Sequence, residues 1–216
     1  MENGKSRQRF DALVDALRAA VPALREAEIP FMLGGSMAVW AYGGPEPTND
    51  LDLMVREEDA ERALEALAAA GMRVAHPPEE WLVKAWHDEV LIDLIYGPRG
   101  LPITDDVLAR SRVRSLSALR VPVMALEDVL ATKLRSLDEH QLDLAWLLQI
   151  ARAVREQVDW DALRDRTGDS PYAAAFFTLV ERLGIAPMPE DAQPGDGTRL
   201  EAVRAAEAAR ATELES

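Results

Sequence analysis

The sequence has no cysteine in its 216 residues. Disulfide staples, thiolate metal sites and a cysteine nucleophile are therefore excluded. Basic residues are in short supply: 24 Lys and Arg against 38 Asp and Glu leave a formal net charge of −14. A chain of that sign repels a polyanion, which argues against broad, non-specific nucleic-acid binding. The three histidines, His76, His87 and His140, lack metal-ligand spacing and read as surface or capping groups. No apolar run approaches the roughly 18 residues of a membrane span. Lys5, Arg7 and Arg9 near the start are not followed by the apolar stretch of a secretory signal. The expected compartment is the cytoplasm, with no membrane partner. What is present is apolar bulk, 48% of the residues, enough to bury a core in one catalytic domain with a helical extension or in two small domains sharing an interface.

The acidity is uneven. Residues 99–135 hold seven Lys/Arg (Arg99, Arg110, Arg112, Arg114, Arg120, Lys133, Arg135) against four Asp/Glu, a net +3 that leaves −17 for the rest of the chain. Both a solvated face and a patch beside the cleft, contacting RNA through Arg110, Arg112 and Arg114, account for it.

Along the chain, residues 10–27 place Leu13, Leu17, Ala20 and Leu24 at helical spacing, interrupted by Pro22. Phe31, Met32 and Leu33 read as a short strand entering Gly34-Gly35-Ser36, and residues 37–42 as a short buried helix that stops at Gly43-Gly44-Pro45. Leu51, Leu53 and Val55 alternate with Asp50, Asp52 and Met54, the period of a strand with two unlike faces. An amphipathic helix is expected over 57–70 and strands around 81–86 and 90–95, turning at His87-Asp88-Glu89. Thr104 caps a short helix, and Pro122 confines a strand over 119–124 to an edge. From Leu126 only helices are expected: 126–137, an almost wholly apolar 141–154 suited to the centre of a small bundle, and 171–183. Residues 187–197 read as a linker, and 200–216 as a detached helix or disordered tail. The expected fold class is α/β: a small mixed-sheet catalytic domain (1–125), a helical domain closing over it (126–186), then a linker and acidic tail (187–216).

The residues able to carry chemistry lie mostly in the first half. A Gly-Gly turn lets backbone N–H groups approach phosphate oxygens, helped by the start of the following helix, and Ser36 adds a hydroxyl. Asp50 and Asp52, two apart on a strand, point the same way and can hold one divalent ion or two. Mg²⁺ takes such hard oxygen ligands and shares them with substrate phosphates. Asp93 interrupts the apolar run from Val90 to Ile95. Half-buried, its carboxylate is costly alone, and it completes an anionic cluster that a cation neutralises. In two-metal phosphoryl transfer a third carboxylate also takes the proton of the attacking hydroxyl. Each fragment alone has an ordinary explanation: a loop, a solvent-facing strand end, a carboxylate paired with an arginine. Their order along the chain carries the reading.

That order, Gly34-Gly35-Ser36, thirteen residues, Asp50-Leu51-Asp52, then Asp93 in a later apolar strand, resembles the DNA polymerase β-like nucleotidyltransferase superfamily over residues 31–95. The resemblance implies a Gly-Ser turn gripping a nucleoside triphosphate and three acids binding two Mg²⁺. It also implies attack of an acceptor hydroxyl on the α-phosphorus, with pyrophosphate leaving. The segment from Leu126 to Arg135, followed by Asp143 to Leu148, resembles the abortive-infection type nucleotidyltransferases, which include toxins of toxin–antitoxin pairs. By that resemblance Lys133 and Asp143 serve the active site and bind the nucleotide. The acceptor is then a tRNA end, a protein or a small molecule, and an antitoxin protein is a partner. Mutual pairing of Lys133 with Asp143 explains both residues without a ligand. Two places depart from the pattern: Glu46, where relatives often carry an arginine, and Glu139-His140, where they often carry a basic-acidic pair. Glu46 favours a rival reading, a catalytically silent nucleotide-binding or partner-binding module; a metal-dependent phosphohydrolase is a third. Trp81, Trp86, Trp146 and Trp160 read as packing, while Trp40 and Tyr42 are either core or the lining of a base pocket.

Overall fold

In α1 (Glu2–Glu26), Leu13, Ala16, Leu17, Ala20, Val21 and Leu24 recur at three- and four-residue steps, and all are buried. The helix runs through Pro22 rather than stopping there. Pro22 and Arg18 are both exposed, so the Arg18 carbonyl that loses its helical donor meets water. The computed structural model describes residues 2–47, 50–98 and 101–188. Arg99 and the tail from residue 189 lie outside the described residues, as does most of the expected linker.

After α1 come β1 (Phe31–Leu33), α2 (Gly35–Ala41), β2 (Leu51–Val55), α3 (Glu57–Ala69), β3 (Arg73–Ala75), β4 (Leu82–His87) and β5 (Val90–Ile95). Then follow α4 (Asp105–Ala109), β6 (Arg112–Leu116), β7 (Leu119–Val123), α5 (Leu126–Arg135), α6 (Leu144–Val154), α7 (Trp160–Thr167) and α8 (Pro171–Arg182). The seven strands form one mixed sheet in the order β3-β4-β5-β2-β1-β7-β6. α1 and α3 pack on each other and against β2 and β5, while α2 lies against β2 and α5. Among the described residues no helix is long and apolar enough to cross a membrane.

The sheet corrects one expectation. β7 is not an edge strand: β1 lies parallel on one side and β6 antiparallel on the other. Its N–H groups point alternately to the two neighbours, and Met124 N donates to Leu33 O on the β1 side. Pro122, two residues earlier, therefore loses its donor on that same side, where the β1 ladder is a single register pair, Leu33 with Val123. The true edge, β6, joins β7 through Ser117 and Ala118, both at positive φ (47° and 68°). A two-residue turn with that backbone normally announces itself through Asn or Gly, and here it does not.

α6 is also not central. It buries one face only, Leu147, Ile150, Ala151 and Val154, and α5 is the helix packed against both α7 and α8. α5 thus joins the sheet to the helical end of the molecule, with Leu126, Val129, Leu130 and Leu134 buried along it.

Candidate active site

β2 and β5 are parallel neighbours in register, Leu51 opposite Ile92 and Asp52 opposite Asp93. The pleat sends Leu51, Leu53, Ile92 and Leu94, all fully buried, to one face, and Asp52 and Asp93 to the other. Asp50 precedes β2 by one residue. One carboxylate oxygen from each of Asp50, Asp52 and Asp93 lies within 4.8 Å of the others. Asp93 is only 7% exposed, so its charge must be balanced within the site.

The turn after β1 is pressed against this row. Gly34 N donates to Asp52 O at 2.9 Å. A Cβ on Gly34 would lie 2.2 Å from Met54 Cε, and one on Gly35 would lie 1.6 Å from Asp52 Oδ2. Gly35 also has φ +54°. Gly35 is thus required by its approach to β2 and its φ, independently of any phosphate, while at Gly34 the flexible Met54 side chain would have to give way. Ser36 stands in the first turn of α2, and its Oγ is buried without a hydrogen-bond partner among the described residues. Such an orphan costs about 1–3 kcal/mol unless a ligand satisfies it.

Lys133 comes from α5. It lines a cavity of about 290 Å³ together with Gly35, Asp52, Met54 and Trp81. Its Nζ lies 4.5 Å from the Trp146 ring centroid, a cation–π contact. The alternative in which Lys133 pairs with Asp143 is not what the structure shows. Asp143 is exposed and caps α6 by accepting from Trp146 N at 3.0 Å. Lys133 and Asp143 do share the wall of an adjoining cavity of about 620 Å³, which Trp146, Leu142 and His140 also line. His140 lies 3.2 Å from Glu139.

Sequence reasoning missed Lys84. Its Nζ donates to Asp93 Oδ1 at 3.2 Å, and in the β4–β5 ladder it is the register partner of Asp93. The signal was available: counting back in pairs from the two-residue turn Asp88-Glu89 sets Lys84 opposite Asp93.

The charges are held away from their ordinary states. Burial, and then the neighbouring Asp50, push Asp52 up to about 7, with Asp93 adding to the effect and Lys133 and Lys84 opposing it. Burial raises Asp93 against the opposing Lys84 hydrogen bond. Burial lowers Lys133 in spite of Asp52 and Asp50. Three clustered carboxylates offer hard oxygen ligands and fit a divalent cation of the Mg²⁺ type. A stability test follows. With a folded value raised above the unfolded 3.8, Asp52 retains in the folded protein a proton that the unfolded chain has released, between roughly pH 4 and pH 7. Metal-free stability should therefore be greatest at the acid end of that window and fall as pH rises to about 7, by a few kcal/mol. Thermal unfolding in EDTA from about pH 5 to about pH 8 should show Tm falling, and Mg²⁺ at about pH 8 should restore it, because the cation binds only the folded site.

The remaining sequence candidates lie elsewhere. Glu46 is exposed in a surface groove with Arg7, Phe10 and Trp40 rather than in the cavity of Asp52 and Lys133. Trp40 packs edge-on against Phe10 at 4.8 Å. Tyr42 is buried and donates to Met124 O at 3.0 Å. Two arginines of the basic segment are engaged within the protein. Arg110 is held by both oxygens of buried Asp128 (2.9 and 3.1 Å), and Arg114 lies over the Tyr42 ring at 4.0 Å. Arg112 and Arg114 sit on β6, three strands from β2, about 14 Å at the usual strand spacing. Trp81 is 41% exposed and lines the cleft, so it is not the packing residue the sequence suggested.

No curated protein matches the chain by sequence. Among solved structures it is similar to ANT(2″)-Ia in complex with adenylyl-2″-tobramycin, at 16% identity over 77% of this chain and 97% of that one, with a TM-score of 0.54. The solution structure of the same antibiotic-resistance factor gives 15% identity over 79% and 94%, with a TM-score of 0.55. The lincomycin-bound lincosamide antibiotic adenylyltransferase LnuA gives 12% over 70% and 96%, with a TM-score of 0.45. At these identities the likeness to ANT(2″)-Ia is one of fold. The family model described as "uncharacterised nucleotidyltransferase" matches residues 2–180. That span takes in the whole sheet, the three aspartates, the 34–36 turn and Lys133, and the chain belongs to this nucleotidyltransferase family.

Proposed function

We propose that the protein transfers a nucleoside monophosphate from a nucleoside triphosphate to a hydroxyl of a small molecule, with Mg²⁺ held by Asp50, Asp52 and Asp93. The observation that supports this most is the meeting of three carboxylates within 4.8 Å, with the buried, unpartnered Ser36 hydroxyl one residue after Gly35, which is pressed against Asp52. Mutually repelling acids and an unsatisfied donor are both relieved when a cation and a phosphate arrive together. Bound metal, as one ion or two, would neutralise the triphosphate and the departing pyrophosphate. The chain's own residues do the rest. Ser36 Oγ and the Gly35 backbone hold phosphate oxygens from one side, where Gly34 N–H is already spent on Asp52 O, and Lys133 holds them from the other. Asp93 receives the proton of the acceptor hydroxyl. Asp143 borders the larger cavity, which receives the nucleoside.

A small acceptor is favoured over tRNA on charge. The two cavities are lined by one lysine and no arginine, and the arginines of β6 lie across the sheet from them. ANT(2″)-Ia, solved with adenylyl-2″-tobramycin, makes ATP the first donor to test and an amino sugar the first acceptor. With a neutral hydroxylated acceptor the transfer rate should be nearly insensitive to salt between about 50 and about 200 mM, whereas phosphate contacts with RNA would make it fall steeply. Ser36→Ala should weaken triphosphate binding by about 1–2 kcal/mol.

The deciding experiment combines α-labelled triphosphates and Mg²⁺ with a panel of hydroxylated small molecules, tRNA and cell lysate. Mg²⁺-dependent pyrophosphate release with label on a small molecule is the expected result. Label on tRNA or a protein would move the reading to a macromolecular acceptor and toward a toxin role. Release of phosphate or monophosphate without labelled acceptor would indicate a phosphohydrolase, and nucleotide binding without release a silent module.

A further inference from the structure

Across β4, β5 and β2 the ladders put Lys84, Asp93 and Asp52 side by side, one per strand. The three occupy a single row on one face of the sheet, since register partners in adjacent strands share a face. The two lysines near the acids are placed differently. Lys133 arrives from a helix, lines the cleft, and contacts an aromatic ring rather than a carboxylate. Lys84 is rooted in the sheet, its side chain 25% exposed, and its ammonium is committed to Asp93 Oδ1 at 3.2 Å.

We infer that Lys84 is a positioning residue: it fixes the rotation of the Asp93 carboxylate so that Asp93 closes the cation site begun by Asp50 and Asp52. The inference rests on the proposed function but concerns a residue to which that function gives no role. Its physical basis is geometric. Asp93 is buried beside two other carboxylates, which repel it, and a free side chain would turn away from them about its two side-chain torsions. A donor fixed in the adjoining strand, opposite Asp93 in register, restrains that turn. Lys84 then stays with Asp93 throughout the reaction, while Lys133 is free to engage substrate.

A cation near a metal site has two separable effects, and they have opposite signs. As a charge alone, Lys84 repels Mn²⁺ or Mg²⁺, so its removal should tighten metal binding. As a positioning donor, its removal should weaken metal binding, because the third ligand is lost. The test is Mn²⁺ binding to the nucleotide-free protein, followed by the electron paramagnetic resonance of free Mn²⁺, for the wild type and for Lys84→Met, Lys84→Gln and Lys84→Arg. Expected are about tenfold weaker Mn²⁺ binding in Lys84→Met and near-normal binding in Lys84→Arg. Lys84→Gln, which keeps a donor without the charge, should fall between them. In turnover, Lys84→Met should lower kcat about tenfold with the nucleotide KM changed less than threefold, and Lys84→Arg should recover most of it. Tighter or unchanged Mn²⁺ binding in Lys84→Met overturns the inference, as does a raised KM at constant kcat, which would make Lys84 a nucleotide ligand. Both leave the proposed function standing if the wild type binds Mn²⁺ and Asp52→Asn does not. A wild type that binds no Mn²⁺ overturns the function and the inference together. Should Lys84→Met unfold, the Gln and Arg variants still separate charge from donor.

Discussion

Asp52→Asn should remove turnover almost completely, by about a thousandfold or more, and at the same time make the metal-free protein harder to unfold near neutral pH. The two effects come from one cause. Asp52 lies between Gly35 and the other acids, buried enough and close enough to Asp50 to be pushed up to about 7. Its negative charge is useful only to a cation, and without one it weakens the fold. Asparagine keeps the shape and one oxygen while removing the charge, so the fold loses a repulsion and the reaction loses a ligand. Thermal unfolding in EDTA at about pH 8 should show a higher Tm for the variant, and the Mg²⁺-induced rise seen in the wild type should shrink. Asp93→Asn should behave differently, because it strips Lys84 of its carboxylate and leaves that ammonium in a partly buried place. Full activity in Asp52→Asn would sink the metal-assisted mechanism.

The contrast between these two aspartates shows what was legible in the sequence. The alternation of Leu51, Asp52, Leu53 and the interruption of an apolar run by Asp93 are period-2 patterns, and a strand reports them directly. Their meeting also requires β2 and β5 to be neighbours in register, a non-local fact on which the motif order gave only circumstantial evidence. Local patterns failed where tertiary context took over. β6 carries arginines and an exposed Val113, and its hairpin turn is built from Ser117 and Ala118, so neither composition nor turn chemistry marked it. Without β6, Pro122 looked like an edge residue. α7 escaped notice because its buried residues, Trp160, Leu163 and Thr167, form a stripe of three among charged neighbours. The run 141–154 looked central because it is rich in leucine, yet Leu142 is 49% exposed on the cleft wall and Asp143 is spent on a cap. There the apolar residues line a cavity, and a pattern of residue types alone does not separate a cavity wall from a core.

Gly35→Ala should be severely damaging. The added Cβ would lie 1.6 Å from Asp52 Oδ2 and 2.5 Å from its Cγ, so the carboxylate must swing out of the cluster or the turn must leave β2. Leaving β2 breaks the Gly34 N to Asp52 O hydrogen bond and uncovers Met54, which is 3% exposed. Alanine at φ +54° adds about 1–2 kcal/mol of backbone strain by itself. Gly43 supplies the control. It too has positive φ, +89°, but nothing lies within 4 Å of the position its Cβ would take. Gly43→Ala should therefore show the backbone cost alone, about 1–2 kcal/mol of stability with turnover unchanged. Gly35→Ala should lose at least about a hundredfold in turnover and weaken Mn²⁺ binding, because the displaced group is a proposed ligand, with about 2–4 kcal/mol of stability lost besides. Comparing kcat and Tm for the two variants separates close approach from backbone freedom. Equal effects at the two positions would mean that the turn needs glycine only for its φ angle; a loss of activity confined to Gly35 would mean that the glycine is there to let Asp52 stand where it does.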